Sequence, residues 1–314
     1  MRLLNNPSFQ FMSIRKTTFM ISAAVLLVSL GSLILKGGPK FGIDFRGGSF
    51  IELRFEDKND PSAVLTIPIN DVRQVFGESG LANSEIKYYG SNQDIAIQLD
   101  VQAAVDSSIV NGIFAGLEEK FPEYNIVERR RESVGPKIGQ ELVTDAVLAI
   151  LASMMLILIY IMFRFELRFG VGAVLALFHD IIITLGIFSI LDIEITVPII
   201  AAVLTIIGYS LNDTIVVFDR IRENLKAFKR HVQGYTSLVN RSINETLSRT
   251  IVTSGTTLIV VIVLYFFGGE NIKNFAFALI CGVIIGTYSS IFIASPVLVE
   301  WEERKASKVT VKKR

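Results

Sequence analysis

The chain has 314 residues, is 51% hydrophobic and has a mean hydropathy of +0.50, too apolar for a water-soluble domain, yet 19% of its residues are charged. Those figures describe a polytopic membrane protein with one soluble insert. A net charge of +1 gives no global field for nucleic acid, and one cysteine, Cys281, excludes an internal disulfide framework.

Residues 1–16 end in Arg15 and Lys16, and an apolar run follows at 17–35. That run is longer than the hydrophobic stretch of a signal peptide, and KGGPK at 36–40 offers no small-residue cleavage site, so it reads as an uncleaved first span.

Residues 36–140 are long and mixed enough to form a domain. FIELRF at 50–55 alternates like a half-buried strand, and 69–79 has helical spacing behind Pro68. Short strands follow at 85–89 and 94–99 around the turn signal GSNQ at 90–93. A second helix at 107–121 and a last strand at 125–132 complete the order β-α-β-β-α-β, the ferredoxin-like arrangement. No metal or nucleophile cluster stands out in it.

Five further apolar runs cover 142–163, 170–191, 197–218, 250–267 and 274–298, with a loop at 219–249 and a tail at 299–314. Seventeen Lys and Arg residues, among them Arg2, Arg15, Lys16, Arg164, Arg168, Lys229, Arg230, Lys313 and Arg314, fall on one side, whereas the short loops opposite hold only Lys273. Basic residues mark the cytoplasmic side, which makes both termini cytoplasmic and the 36–140 domain extracytoplasmic.

The third span carries His179 and Asp180 near its middle, and the fourth carries Asp213. Fifteen residues separate Pro198 from Asp213, which places the acid about 22 Å along the helix, some two-thirds through a hydrocarbon core of about 30 Å. Such a placement costs about 2.5–3.5 kcal/mol at mid-membrane and is a functional hypothesis by default.

At about 100° per residue from Thr205, Tyr209 falls near 40°, Asn212 near 340°, Asp213 near 80° and Arg220 near 60°. From Arg249 in the fifth span, Thr253 falls near ~40°, Thr256 near ~340° and Thr257 near ~80°. Two polar stripes thus share one half of the membrane, each with an ionisable group. Bland alternatives stand beside this reading: Asp213 satisfied by hydroxyls for packing, Arg249 as an interfacial anchor, and His179–Asp180 as a structural pair. The sixth span repeats a small residue at Ala278, Gly282, Gly286 and Ser290, a stripe that admits close helix packing. No nucleotide-binding or zinc-protease motif occurs and no nucleophile–base set is visible, so neither catalysis nor bound ATP is expected.

Four segments carry a family resemblance. FGIDFRGG at 41–48, which holds Gly42, Asp44, Gly47 and Gly48, resembles the signature that opens the external domain in the SecD/SecF family. GYSLNDTIVVFDRIREN at 208–224 resembles the fourth-span signature of its SecF branch, and LFHD at 177–180 and LSRTIVTSGTT at 247–257 are similar to further segments. The resemblance implies half of an RND-superfamily membrane fold with six transmembrane helices, in the bacterial cytoplasmic (inner) membrane. It also implies an accessory role in protein export, in which the proton motive force, used together with SecD, assists late stages of preprotein translocation. Expected partners are SecD, the SecYEG translocon with SecA, YajC and the moving preprotein. No cofactor is implied beyond the coupling ion, H+ or alternatively Na+. On the matching positions the proton relay falls to Asp213 and Arg249, with His179, Asp180, Tyr209, Asn212, Thr253, Thr256 and Thr257 as candidate support. Competing readings are an RND-type exporter half for a lipid or small molecule, which requires a substrate-sized external pocket, and a non-transporting assembly factor.

Overall fold

The computed structural model describes residues 7–100, 107–227 and 234–312, with side chains over 7–100, 112–227 and 234–305. Arg2, Lys229, Arg230, Lys313 and Arg314, counted above toward orientation, lie outside the described residues. The chain forms two compact units, one of residues 1–40 and 148–314, the other of residues 41–147.

The smaller unit has the predicted element order. A one-turn helix α2 (Ile43–Arg46) leads into β1 (Gly48–Asp57), followed by α3 (Ile69–Glu78), β2 (Glu85–Tyr89), β3 (Ser91–Leu99), α4 (Ser107–Lys120) and β4 (Tyr124–Val134). The strands order as β2-β3-β1-β4 and every pair is antiparallel, a ferredoxin-like sheet. Period-two alternation puts Ile51, Leu53 and Phe55 of β1 beside Ile95, Ile97 and Leu99 of β3, on the face that buries Val72, Val75 and Phe76 of α3 and Leu117 of α4. The opposite face holds a buried ion pair invisible to periodicity: Arg54 donates twice to Asp94, at 2.9 and 3.1 Å. Ser91 also donates to Asp94, at 2.7 Å. This anchoring explains one departure from the sequence reading. The stretch 90–93, expected as a turn, is strand from Ser91 onward, and Gly90 alone reverses the chain in a left-handed conformation with φ 76°.

The signature before β1 has a backbone reason for its paired glycines. The Gly42 carbonyl accepts from the Phe45 and Arg46 amides, closing α2, and Gly47 and Gly48 then leave the turn at φ 80° and 124°. A Cβ on Gly48 would sit 2.4 Å from the Leu99 carbonyl oxygen. Strain and clash together should make Gly48→Ala cost about 3 kcal/mol, seen as earlier thermal unfolding and faster proteolysis of this unit. Gly77→Ala is the control: it lies within α3 with open space around it and should leave stability equal or slightly higher.

The larger unit is helical. Its elements are α1 (Arg15–Leu35), α5 (Pro136–Arg164, which begins within the smaller unit), α6 (Leu167–Ile190), α7 (Val197–Ala227), α8 (Tyr235–Phe267), α9 (Glu270–Ser289), a π-helical turn (Ser290–Ala294) and α10 (Ser295–Lys312). Among the described residues, six helical segments are long and apolar enough to cross a membrane. Helix α6 is the inner one, with 61% of its most apolar window buried against 11% for α5. Small residues let backbones meet. A Cβ on Gly186 of α6 would fall 2.2 Å from the Ser29 Cβ of α1, and one on Gly282 of α9 would fall 2.2 Å from Ile206 of α7. Gly286 lies against Ser210, and Ala278 and Ser290 are fully buried, so the predicted stripe lays α9 onto α7.

Helices α7 and α8 run past the apolar windows because their polar ends pack on each other. Asn224 donates to Ser242 at 2.9 Å and Arg220 to Glu245 at 2.6 Å. The π turn was not foreseen either. It widens the helix where Ser289 turns its hydroxyl to another helix and Ser295 donates to the Ser290 carbonyl at 2.8 Å. Between α6 and α7, Asp192 holds a left-handed backbone at φ 57° and binds Lys36 and Lys40, each at 3.3 Å. The Lys36 hydrogen bond, then that of Lys40, keeps its carboxyl below the usual carboxylate range.

Candidate functional site

Asp213 is 3% exposed, on the buried side of α7. Its carboxylate accepts one hydrogen bond, 3.1 Å from the Ser254 hydroxyl of α8, and among the described residues it has no other hydrogen-bond partner. Ser254 in turn lies 2.7 Å from the Thr287 hydroxyl of α9. One acid thus joins three helices through two hydroxyls.

A second polar cluster lies beside it. Asp180 of α6, 1% exposed, accepts from Ser210 of α7 at 2.6 Å and from Ser289 of α9 at 2.8 Å. Its other oxygen lies 2.9 Å from Nδ1 of His179, whose ring stacks on Tyr288 with centroids 6.1 Å apart. Nε2 of His179 is buried and has no hydrogen-bond partner among the described residues. The two acids differ in kind: Asp180 has three hydrogen-bond contacts, whereas Asp213 has one among the described residues.

Arg249 is exposed, and among the described residues no hydrogen bond or ion pair holds it. Arg249, Arg220, Arg241, Glu245, Ser248 and Thr253 line a cavity of about 840 Å³ at that end of α7 and α8.

The remaining stripe residues divide. Tyr209, one turn before Asp213, has a buried hydroxyl with no partner. Thr253 is half-buried, Asn212 and Thr256 are exposed, and the hydroxyls of Thr256 and Thr257 donate to carbonyls of their own helix. The structure therefore does not bring Asn212, Thr256 or Thr257 into contact with Asp213. Helix rotation is the reason. Taking about 100° per residue from Arg249, the buried residues Thr250, Ser254 and Val261 centre near 120°, so the inner face of α8 lies to one side of the threonine stripe. Ser254, Thr287, Ser210 and Ser289 escaped sequence reading for that reason, although the buried apolar rows could have shown which face turns inward.

Beside the buried acid, Thr205, Gly208 and Asn212 of α7 and Thr256 of α8 face outward, with open space around Gly208 and Gly255. The smaller unit holds, among its described residues, a cavity of about 140 Å³ edged by Arg46, Glu85 and Asp100. That is below the several hundred cubic ångströms usual for a small-molecule site, so this cavity does not favour an exporter half.

Comparison with known proteins gives a consistent picture. The profile for the C-terminal region of the protein export membrane proteins SecD/SecF matches residues 115–304, and the SecD/SecF GG motif matches residues 32–58. The protein translocase subunit SecF of Rhodothermus marinus is 43% identical, over 98% of both chains. That of Desulfurispirillum indicum is 46% identical, over 94% of this chain and 92% of its own. Among solved structures, SecDF of Thermus thermophilus, a translocon-associated membrane protein, superposes with a TM-score of 0.82 at 38% identity, covering 95% of this chain and 39% of that one. A SecDF structure in the super-membrane-facing form gives 0.71 at 37% identity over 98% of this chain and 41% of that one. The chain thus spans about two-fifths of the SecDF chains it matches.

Proposed function

This chain belongs to the SecD/SecF family of protein-export membrane proteins and serves Sec-dependent export as an accessory subunit, and within that role we propose that Asp213 carries the coupling proton. One observation carries the reading: a carboxylate sealed within a membrane-spanning helix bundle has, among the described residues, a single hydroxyl donor and no ion pair, while a neighbouring acid, Asp180, has three hydrogen-bond contacts. An acid kept only to hold helices together is expected to look like Asp180. An undersupplied one is ready to change protonation state.

Arg249 is the second element. A guanidinium that approaches a carboxylate favours proton release, and one that withdraws favours uptake, with about 1.4 kcal/mol of coupling for each pKa unit swung. Among the described residues Arg249 has no hydrogen bond or ion pair with Asp213, which fits the withdrawn arrangement of such a cycle. Because the charge acts here without a bond, Arg249→Lys should retain intermediate export activity, whereas Arg249→Gln should lose about tenfold, the equivalent of one pKa unit. Equal activity of the Gln variant and the wild type in a vesicle export assay would remove Arg249 from the relay.

The outward polar surface of Thr205, Asn212 and Thr256 needs a cover at membrane depth, and SecD is the partner that the SecDF structures suggest for it. We place the assembly in the cytoplasmic (inner) membrane with both termini cytoplasmic, acting on a preprotein after the SecYEG–SecA stage, with YajC as a further associate and transport rather than catalysis as the work done. Export into inverted vesicles, with proton and sodium gradients collapsed separately, tests the coupling. Loss with the protonophore alone supports H+; loss with the sodium ionophore alone replaces it by Na+.

A further inference from the structure

The cavity at the ends of α7 and α8 has features that proton transfer does not use. Arg220, Arg241 and Arg249 line it from two helices, as do Ser237 and Ser248. Glu245 accepts from Arg220 at 2.6 Å and from Arg241 at 2.8 Å, and Glu223 accepts from Arg220 at 2.9 Å. Two carboxylates against three guanidiniums leave a surplus positive charge, carried by Arg249. At about 840 Å³ the space is within the range of small-molecule sites. A planar guanidinium fork matches phosphate oxygens, and basic pockets between membrane helices suit anionic lipid headgroups.

Beside the exposed Thr256, an apolar strip of α8 leads away from the cavity. Val252 lines its rim, and Ile259, Val263 and Phe266 are exposed farther along α8. At about 100° per residue these four lie within about 60° of one another, and from Val252 to Phe266 the stripe is about 21 Å long. That exceeds half of a hydrocarbon core about 30 Å thick. Charge at one end and an apolar track of acyl-chain length together describe an amphipathic ligand.

We propose that this cavity binds the phosphate of an anionic phospholipid, whose acyl chains lie along the exposed stripe of α8. The inference rests on the membrane placement of α8 given above and not on the proton relay. A resident lipid anion beside Arg249 would hold that side chain away from Asp213 until it is displaced, which makes the site a regulator of the relay.

The test uses the full chain purified with SecD, stripped of lipid and re-exposed to phosphatidylglycerol or phosphatidylcholine, with bound lipid counted by native mass spectrometry. Phosphatidylglycerol should be retained preferentially, and Arg241→Gln should lower its occupancy about fivefold, the equivalent of about 1 kcal/mol per basic residue. Ser237→Asp places a negative charge in the lining one turn before Arg241, and should lower occupancy in the same direction. Equal retention of the two lipids, or no response to either variant, overturns the proposal. Displacement of phosphatidylglycerol by excess inorganic phosphate alone would make this a free-anion site and overturn the lipid assignment. Retention is a binding readout, so its outcome is independent of whether Asp213 carries protons.

Discussion

Asp213→Asn should bring export down to the level seen with the proton gradient collapsed, while the protein remains inserted, folded and associated with SecD. Asparagine keeps an oxygen able to accept the Ser254 hydroxyl bond, now 3.1 Å long, so the stability change should stay within about 1 kcal/mol. The loss falls on coupling. One proton moved through about 100 mV is worth about 2.3 kcal/mol, equivalent to about a fiftyfold bias between two states, and the amide cannot exchange that proton. The measurement is export into inverted vesicles with and without protonophore. Wild type should respond to the protonophore, and the variant should not. A variant that exports at the wild-type rate with the gradient intact would show that Asp213 is not the carrier.

Much of this architecture was legible in the sequence because its signals are long or strictly periodic. Six apolar runs required six crossings, and alternation in 50–55 with the spacing of 69–79 led to the sheet and its first helix. Asp213 stood out on cost alone. The details that escaped depend on rotation and on distant contacts. A polar stripe fixes which residues share a helix face but not where that face points, so Thr256 was grouped with Asp213 although it faces outward, while Ser254 does the bonding. The Arg54–Asp94 pair bridges residues 40 apart in sequence and has no local signature. The π turn at Ser290–Ala294 was hidden because its residues look like one more small-residue repeat. The polar seam of Ser254, Thr287, Ser210 and Ser289 is assembled by close packing of α9 on α7, at Gly282 and Gly286, and hence by tertiary contact rather than by pattern.

Asp180 supplies the contrast that separates a structural acid from a working one. Its oxygens accept from Ser210 and Ser289 at 2.6 and 2.8 Å and lie 2.9 Å from His179, tying α6 to α7 and α9 at a site 1% exposed. Removing the carboxylate with Asp180→Ala leaves the Ser210 hydroxyl and an imidazole nitrogen unpaired in the core and Ser289 with only the Gly286 carbonyl at 3.1 Å, and should cost about 3–5 kcal/mol, measured as a large drop in thermal stability of the detergent-solubilised complex. Asp180→Asn keeps an acceptor for both serines and an amide for His179, so it should cost only about 1 kcal/mol and leave proton-dependent export close to wild type. The paired comparison with Asp213 decides the assignment. If Asp180→Asn melts like wild type and yet loses export as completely as Asp213→Asn, then the His179–Asp180 pair also carries protons, and saturation with hydrogen-bond donors fails as the mark of a structural acid in this bundle.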